Sequence, residues 1–106
     1  MPTVDNAVSE PISFPEWGDF KVGMLRNAAY MRVSRAADEF WRTKVETFFS
    51  IQGEELGEAQ QLWGAMLQSC PEEQRPTSEE AEQWNQIAAS TNMPIKFTET
   101  GQLTPI

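Results

Sequence analysis

Apolar residues along this chain recur at helical spacing in four successive stretches, and polar or proline-containing breaks separate them. Ser13 followed by Glu16 predicts a capping box at the start of the first, with Pro15 tolerated because its missing N–H would lack a partner there anyway. Trp17, Phe20, Met24 and Leu25 then fall at i, i+3, i+7 and i+8, one apolar face weakened by Gly18 and Gly23. This helix should end near Arg26, leaving Asn27 as its stop or as the cap of the next.

From Ala28 the pattern restarts. Tyr30, Val33, Ala37, Trp41, Val45 and Phe48 keep close to the 3.6 period, predicting a long second helix with a break near Ser34 to Asp38. Phe40, Phe49 and Ile51 widen its apolar stripe beyond what one neighbour covers, as expected of a central helix contacted on several sides. Gly53 suits the position after its end. Glu54, Glu55 and Glu58 place negative charge where the first turn of a third helix prefers it. Its buried face is Leu56, Ala59, Trp63, Met66 and Cys70, flanked by Leu62 and Leu67, and Pro71 ends it. Thr77 and Glu80 form a second capping box for a short fourth helix, with Ala81, Trp84, Ile87 and Ala88 facing inward.

Beyond Met93-Pro94 the period changes from helical to alternating. Ile95 and Phe97 flank Lys96 in a short predicted strand, and Thr100-Gly101 can turn the chain so that Leu103 returns beside Phe97. At the other end, residues 1–13 contain Pro2 and Pro11 and no helical stripe. They read as an extended arm, disordered alone or ordered against a partner through Val8, Ile12 and Phe14 as an added strand or in a groove. The expected organisation is therefore all-α: one small domain of about four helices over residues 14–92, an extended N-terminal arm over 1–13 and a β-like strand or hairpin tail over 93–106.

Composition supports one packed core. The chain has 106 residues, of which 40% are hydrophobic, and its four tryptophans fall one per predicted helix. The residues around them do not recur, so the spacing reflects four anchors for a shared core and not a repeat. At about 25 cal/mol per Å² and about 150–250 Å² per ring, a fully buried tryptophan contributes on the order of 4–6 kcal/mol before opposing terms. The lone Cys70 allows no intramolecular disulfide, which fits a reducing compartment. The N-terminus has no signal-peptide pattern and no segment has the length of a membrane span. The expectation is a soluble intracellular protein without membrane attachment.

Histidine is absent. That removes the commonest general base and metal ligand, together with every Ser-His or Cys-His arrangement. The glycines form no phosphate loop and no dinucleotide fingerprint, so no catalytic residue, cofactor or metal is expected. Acidic groups at Glu54, Glu55 and Glu58, or at Glu79, Glu80 and Glu82, could in principle supply a carboxylate pair for hydrolysis. Their places at helix starts explain them without catalysis, and Cys70 beside Pro71 reads as a small buried hydrophobe.

Charge is segregated. Lys21, Arg26, Arg32, Arg35, Arg42 and Lys44 against Asp38 and Glu39 give residues 21–44 a charge of +4, whereas residues 45–90 carry -8. The basic helix either pairs with the acidic helices or offers Arg26, Tyr30, Arg32 and Arg35 to an acidic partner surface. A further contact surface is expected at the two termini: Val8, Ile12 and Phe14 in the arm, and Ile95, Phe97 and Leu103 in the tail. The net charge of -8 opposes attraction to phosphate and no nucleic-acid motif appears, so the expected partner is another protein or a second copy of the chain. An acidic regulator or inhibitor, imitating DNA towards a host protein, is the alternative.

The W-x-x-F of Trp17 to Phe20, Met24-Leu25, Tyr30-Met31-Arg32-Val33, and later PTSEEAEQWNQIA, MPIKF and TGQL resemble small accessory proteins of tailed bacteriophages, often encoded beside tail-fibre genes and found in prophages. The resemblance spans roughly residues 14 to 104. It implies a non-enzymatic accessory protein or assembly chaperone for a tail or fibre protein, acting in the host cytoplasm or retained in the virion. It carries no catalytic or binding residue onto particular positions.

Overall fold

The computed structural model describes residues 15–50 and 55–106, and within them the chain is helical with a closing β-hairpin. The elements are α1 (Trp17–Leu25), α2 (Ala28–Ala36), α3 (Glu39–Ser50), α4 (Leu56–Ser69), a 3-10 turn (Glu72–Gln74), α5 (Ser78–Ser90), β1 (Ile95–Phe97) and β2 (Leu103–Pro105). The arm through residue 14, with Val8, Ile12, Ser13 and Phe14, lies outside the described residues, as do Ile51, Gly53 and Glu54.

Polar residues set the breaks. Glu16, expected inside the first turn, stands instead at the N-cap of α1 without a side-chain cap bond. Its N–H reaches the carbonyl of Thr91, tying the start of α1 to the end of α5 at 2.9 Å. Asn27 caps α2 by accepting from the Tyr30 N–H at 2.9 Å, and the same Oδ1 accepts from Trp84 Nε1 at 2.9 Å. The predicted long second helix is two helices. Ala37 is extended (ψ 161°), and the Asp38 carboxylate accepts from the Phe40 N–H at 2.9 Å, starting α3 afresh. Ser69 holds the break from α4, its hydroxyl accepting from the Asp38 N–H at 2.9 Å. The capping box at Thr77 and Glu80 is present in full.

The core is aromatic and centred on Trp63, which is fully buried, as is Trp84. Tyr30 stacks on Trp63 at 6.0 Å, Trp84 meets it edge-on at 5.6 Å, and Phe49 and Phe97 approach at 6.1 and 5.2 Å. Such edge and offset contacts suit the ring quadrupoles. Both indole N–H groups are satisfied: Trp84 on Asn27, and Trp63 on the carbonyl of Gly101 at 2.7 Å. Leu25, expected in the core, is 43% exposed. At about 100° per residue it points well away from the Phe20–Met24 stripe and shares a flank with Val22.

The tail belongs to this core. β1 and β2 pair antiparallel with Phe97 opposite Leu103, the partnership expected from the alternation. Ile95, Phe97 and Leu103 are buried at 3%, 3% and 0% exposure. Gly101 makes the turn with φ +84°, and a Cβ there would run into Pro76 and meet Trp84. Residues 93–106 are therefore one packing unit with α4 and α5, not an appended tail.

Candidate functional site

The contact residues expected from sequence part ways in three dimensions. Tyr30 is 2% exposed, and burial, reinforced by the negative charge of Glu46, pushes its phenol pKa up. Arg32 closes a bidentate pair with Glu80, both N–O distances being 2.7 Å. Its Nε donates to the Gln74 carbonyl and its Nη2 to the Gln74 and Arg75 carbonyls, so the guanidinium satisfies the α4–α5 connection. The Arg32 guanidinium bonded to Glu80 holds that carboxyl down at about 2. Arg26 and Arg35 remain exposed, yet without Tyr30 and Arg32 they do not make the continuous basic and aromatic patch expected. The two ion pairs among the described residues are Arg32–Glu80 and Arg42–Glu39.

The hairpin is likewise withdrawn from contact. Ile95, Phe97 and Leu103 face inward, and the strand edges are occupied from within the chain. Asn85 clamps β1, accepting from the Phe97 N–H at 2.6 Å and donating to the Phe97 carbonyl at 2.9 Å. On β2, the Gln102 amide donates to the Leu103 carbonyl at 3.0 Å and Pro105 has no N–H to offer. An edge blunted in this way gives an added strand little to pair with.

Among the described residues the large apolar side chains left exposed are Val22 and Leu25 on α1, Phe40 on α3 and Ile106 after β2, and Phe40 is the one aromatic ring of the four. Phe40 is 57% exposed, stands edge-on to the half-buried Trp41 at 4.9 Å and carries the Lys44 ammonium 5.2 Å from its ring centroid. These residues open onto a groove of about 920 Å³ between α3 and α4, with Phe48 and Leu62 among its apolar walls and Glu39, Lys44 and Glu58 among its polar ones. The helix pattern explains why. Trp41, Val45, Phe48 and Phe49 supply the inward stripe, and Phe40, about 100° aside from Trp41, cannot join it.

Phe40 was legible as an excess in the α3 stripe, but its assignment to an inner contact was not correct. Cys70 is buried, and burial pushes its thiol pKa up. Among the described residues no group of three His, Cys, Asp or Glu side chains could hold a metal ion. Among the same residues no helix is long and apolar enough to cross a membrane. Comparison of the chain with family models, curated proteins and solved structures gave no match.

Proposed function

We propose that the protein is a non-enzymatic protein-binding component, in keeping with the resemblance of its sequence to tail and tail-fibre accessory proteins or assembly chaperones of bacteriophages. The observation that carries the binding reading is Phe40, 57% exposed at the mouth of the α3–α4 groove. An aromatic ring held out by a folded helix, backed by a second aromatic and edged by charge, has the composition of an interface anchor. Such a protein acts in the cytoplasm of an infected or lysogenic bacterium, or stays with the virion.

Co-expression with a tail or fibre protein from the same genome tests this reading. A stable complex on gel filtration that Phe40→Ser abolishes supports it; two separate species with the unaltered chain overturn the choice of partner. The acidic-regulator reading draws on the exposed Glu72, Glu73, Glu79 and Glu82 around the start of α5. It predicts instead a salt-sensitive complex with a host DNA-binding protein that Phe40→Ser leaves intact.

A further inference from the structure

We propose that the outward face of α1, built from Gly18, Val22 and Leu25 and edged by Asp19 and Arg26, pairs antiparallel with the same face of a second copy of this chain. The α3–α4 groove, which carries the proposed function, lies on other helices and takes no part.

α1 is apolar on two sides. Phe20 and Met24 point into the core, and Trp17 packs edge-on against Phe48 of α3 at 5.9 Å. On the opposite side Val22 and Leu25 are 44% and 43% exposed, and Gly18 is exposed with them. At about 100° per residue these three fall within about 60° of one another. A surface helix ordinarily gives that side to polar residues.

The two glycines of α1 differ in the same sense. A Cβ on Gly23 would strike Ile87 of α5 at 2.8 Å, so this glycine serves packing within the chain, whereas a Cβ on Gly18 would meet nothing within 4 Å. Glycine weakens a helix relative to alanine, and at Gly18 nothing among the described residues offsets that loss. The low backbone there lets another chain come close.

The charged edge selects a second copy as the occupant. Asp19 and Arg26 stand two turns apart along one edge of the face, both exposed, and neither forms an ion pair among the described residues. Arg26 keeps helical backbone (φ -89°, ψ -6°), so it continues the edge. In a two-fold antiparallel pair of helices an edge meets itself, and each contact is repeated with the copies exchanged. Setting Asp19 against Arg26 of the second copy therefore closes two opposite-charge contacts at once.

Packing arrives at the same register independently. With Asp19 level with Arg26 of the second copy, the two Val22 residues lie about 1.5 Å from level across the two-fold axis. Each Leu25 then stands level with the midpoint between Gly18 and Val22 of the other copy, the gap between i and i+4 that receives a packed side chain. Lys21, on the opposite edge, is turned back to donate to Ser50 at 2.6 Å, which keeps it from facing its own counterpart.

Sedimentation velocity of the full chain at rising concentration tests the proposal. One helix face makes a small interface, so the expected result is a monomer that becomes a dimer with a dissociation constant on the order of 10⁻⁴ M. Asp19→Arg and Arg26→Asp, each alone, oppose like charges and should weaken the dimer by about tenfold or more. An equimolar mixture of the two single variants restores opposite charge at both contacts and should dimerise about as well as the unaltered chain. Leu25→Ser should abolish the dimer while leaving the urea midpoint of the dilute monomer in place. A mass that stays monomeric up to about ten times the expected constant overturns the proposal. So does a dimer indifferent to both charge variants, or one that Phe40→Ser breaks and Leu25→Ser spares, which would place self-association on the α3–α4 groove. A chain that is monomeric alone and loses its complex with a different protein on Leu25→Ser also overturns it, giving the face to that protein.

Discussion

Trp63 and Trp41 are both helix-borne tryptophans at inward positions of the apolar pattern, and they end in opposite circumstances. Trp63 is closed in by Tyr30, Phe49, Trp84 and Phe97 and donates its indole N–H to Gly101. Trp41 is half-buried, with Phe40 on its outer edge and a groove beside it. The difference arises from what arrives to cover each ring. The hairpin returns over α4 and α5 and closes the first cluster, whereas no described segment covers α3 on the Phe40 side. One region is closed over by the chain itself, and the other is open among the described residues.

The comparison fails if the two rings contribute equally to stability. Trp63→Ala should cost about 3–5 kcal/mol, since it opens a cavity in the centre of the aromatic cluster and leaves the Gly101 carbonyl without its donor. Trp41→Ala, at a site already open to solvent, should cost about 1–2 kcal/mol. Urea unfolding monitored by far-UV circular dichroism distinguishes them, the midpoint falling much further for Trp63→Ala at similar slope.

Closure by the hairpin can be attacked without touching a tryptophan. Gly101→Ala places a Cβ against Pro76 and Trp84 at a backbone φ of +84°. The expected loss is about 2–3 kcal/mol, from left-handed strain combined with overpacking. If the hairpin were a loose tail, the loss would be only the backbone strain. A midpoint shift no larger than that of an exposed loop glycine would therefore contradict the packing unit described here.

The Arg32–Glu80 pair fastens α2 to α5 on the closed side, and its removal should have a smaller effect. Glu80→Gln weakens the bidentate pair and the capping box together, costing about 1–2 kcal/mol. The same pair predicts a pH dependence. Folding lowers the Glu80 pKa from 4.5 to about 2, so its contribution is present in full above the unfolded value. It is lost as pH falls from about 4.5 towards about 2. Unfolding midpoints measured across that window should decline more steeply for the unaltered chain than for Glu80→Gln.

Local signals in the sequence carried much of this fold and little of the site. The Thr77–Glu80 capping box, Asn27 as a cap, the break near Asp38 and the Phe97–Leu103 return are written in residues within a few positions of one another, and each has a short-range cause. The Arg32–Glu80 pair joins residues 48 apart, and the burial of Tyr30 depends on Trp63 and Trp84 arriving from two later helices. Arginines read along one helix appear as a surface because the partners that consume them are distant in sequence. The hairpin misled for the same reason: alternation shows that Phe97 and Leu103 share a face, but only α4 and α5 determine that this face is inward.

The smallest stability effect belongs to the open side, where the proposed function expects the loss of binding. Phe40 is 57% exposed and its close ring contact is with Trp41. Phe40→Ser removes exposed apolar area and one aromatic edge, so the folded state should change by no more than about 0.5–1 kcal/mol. The Lys44 ammonium loses the ring beneath it, an exposed contact of the order of 0.5–1 kcal/mol at most and compensated by hydration. Loss of the partner complex by this variant, at an unfolding midpoint close to that of the unaltered chain, would separate the two regions cleanly. A fall in midpoint comparable to that of Trp63→Ala would instead make Phe40 a structural residue, and the open side of α3 would no longer differ in kind from the closed one.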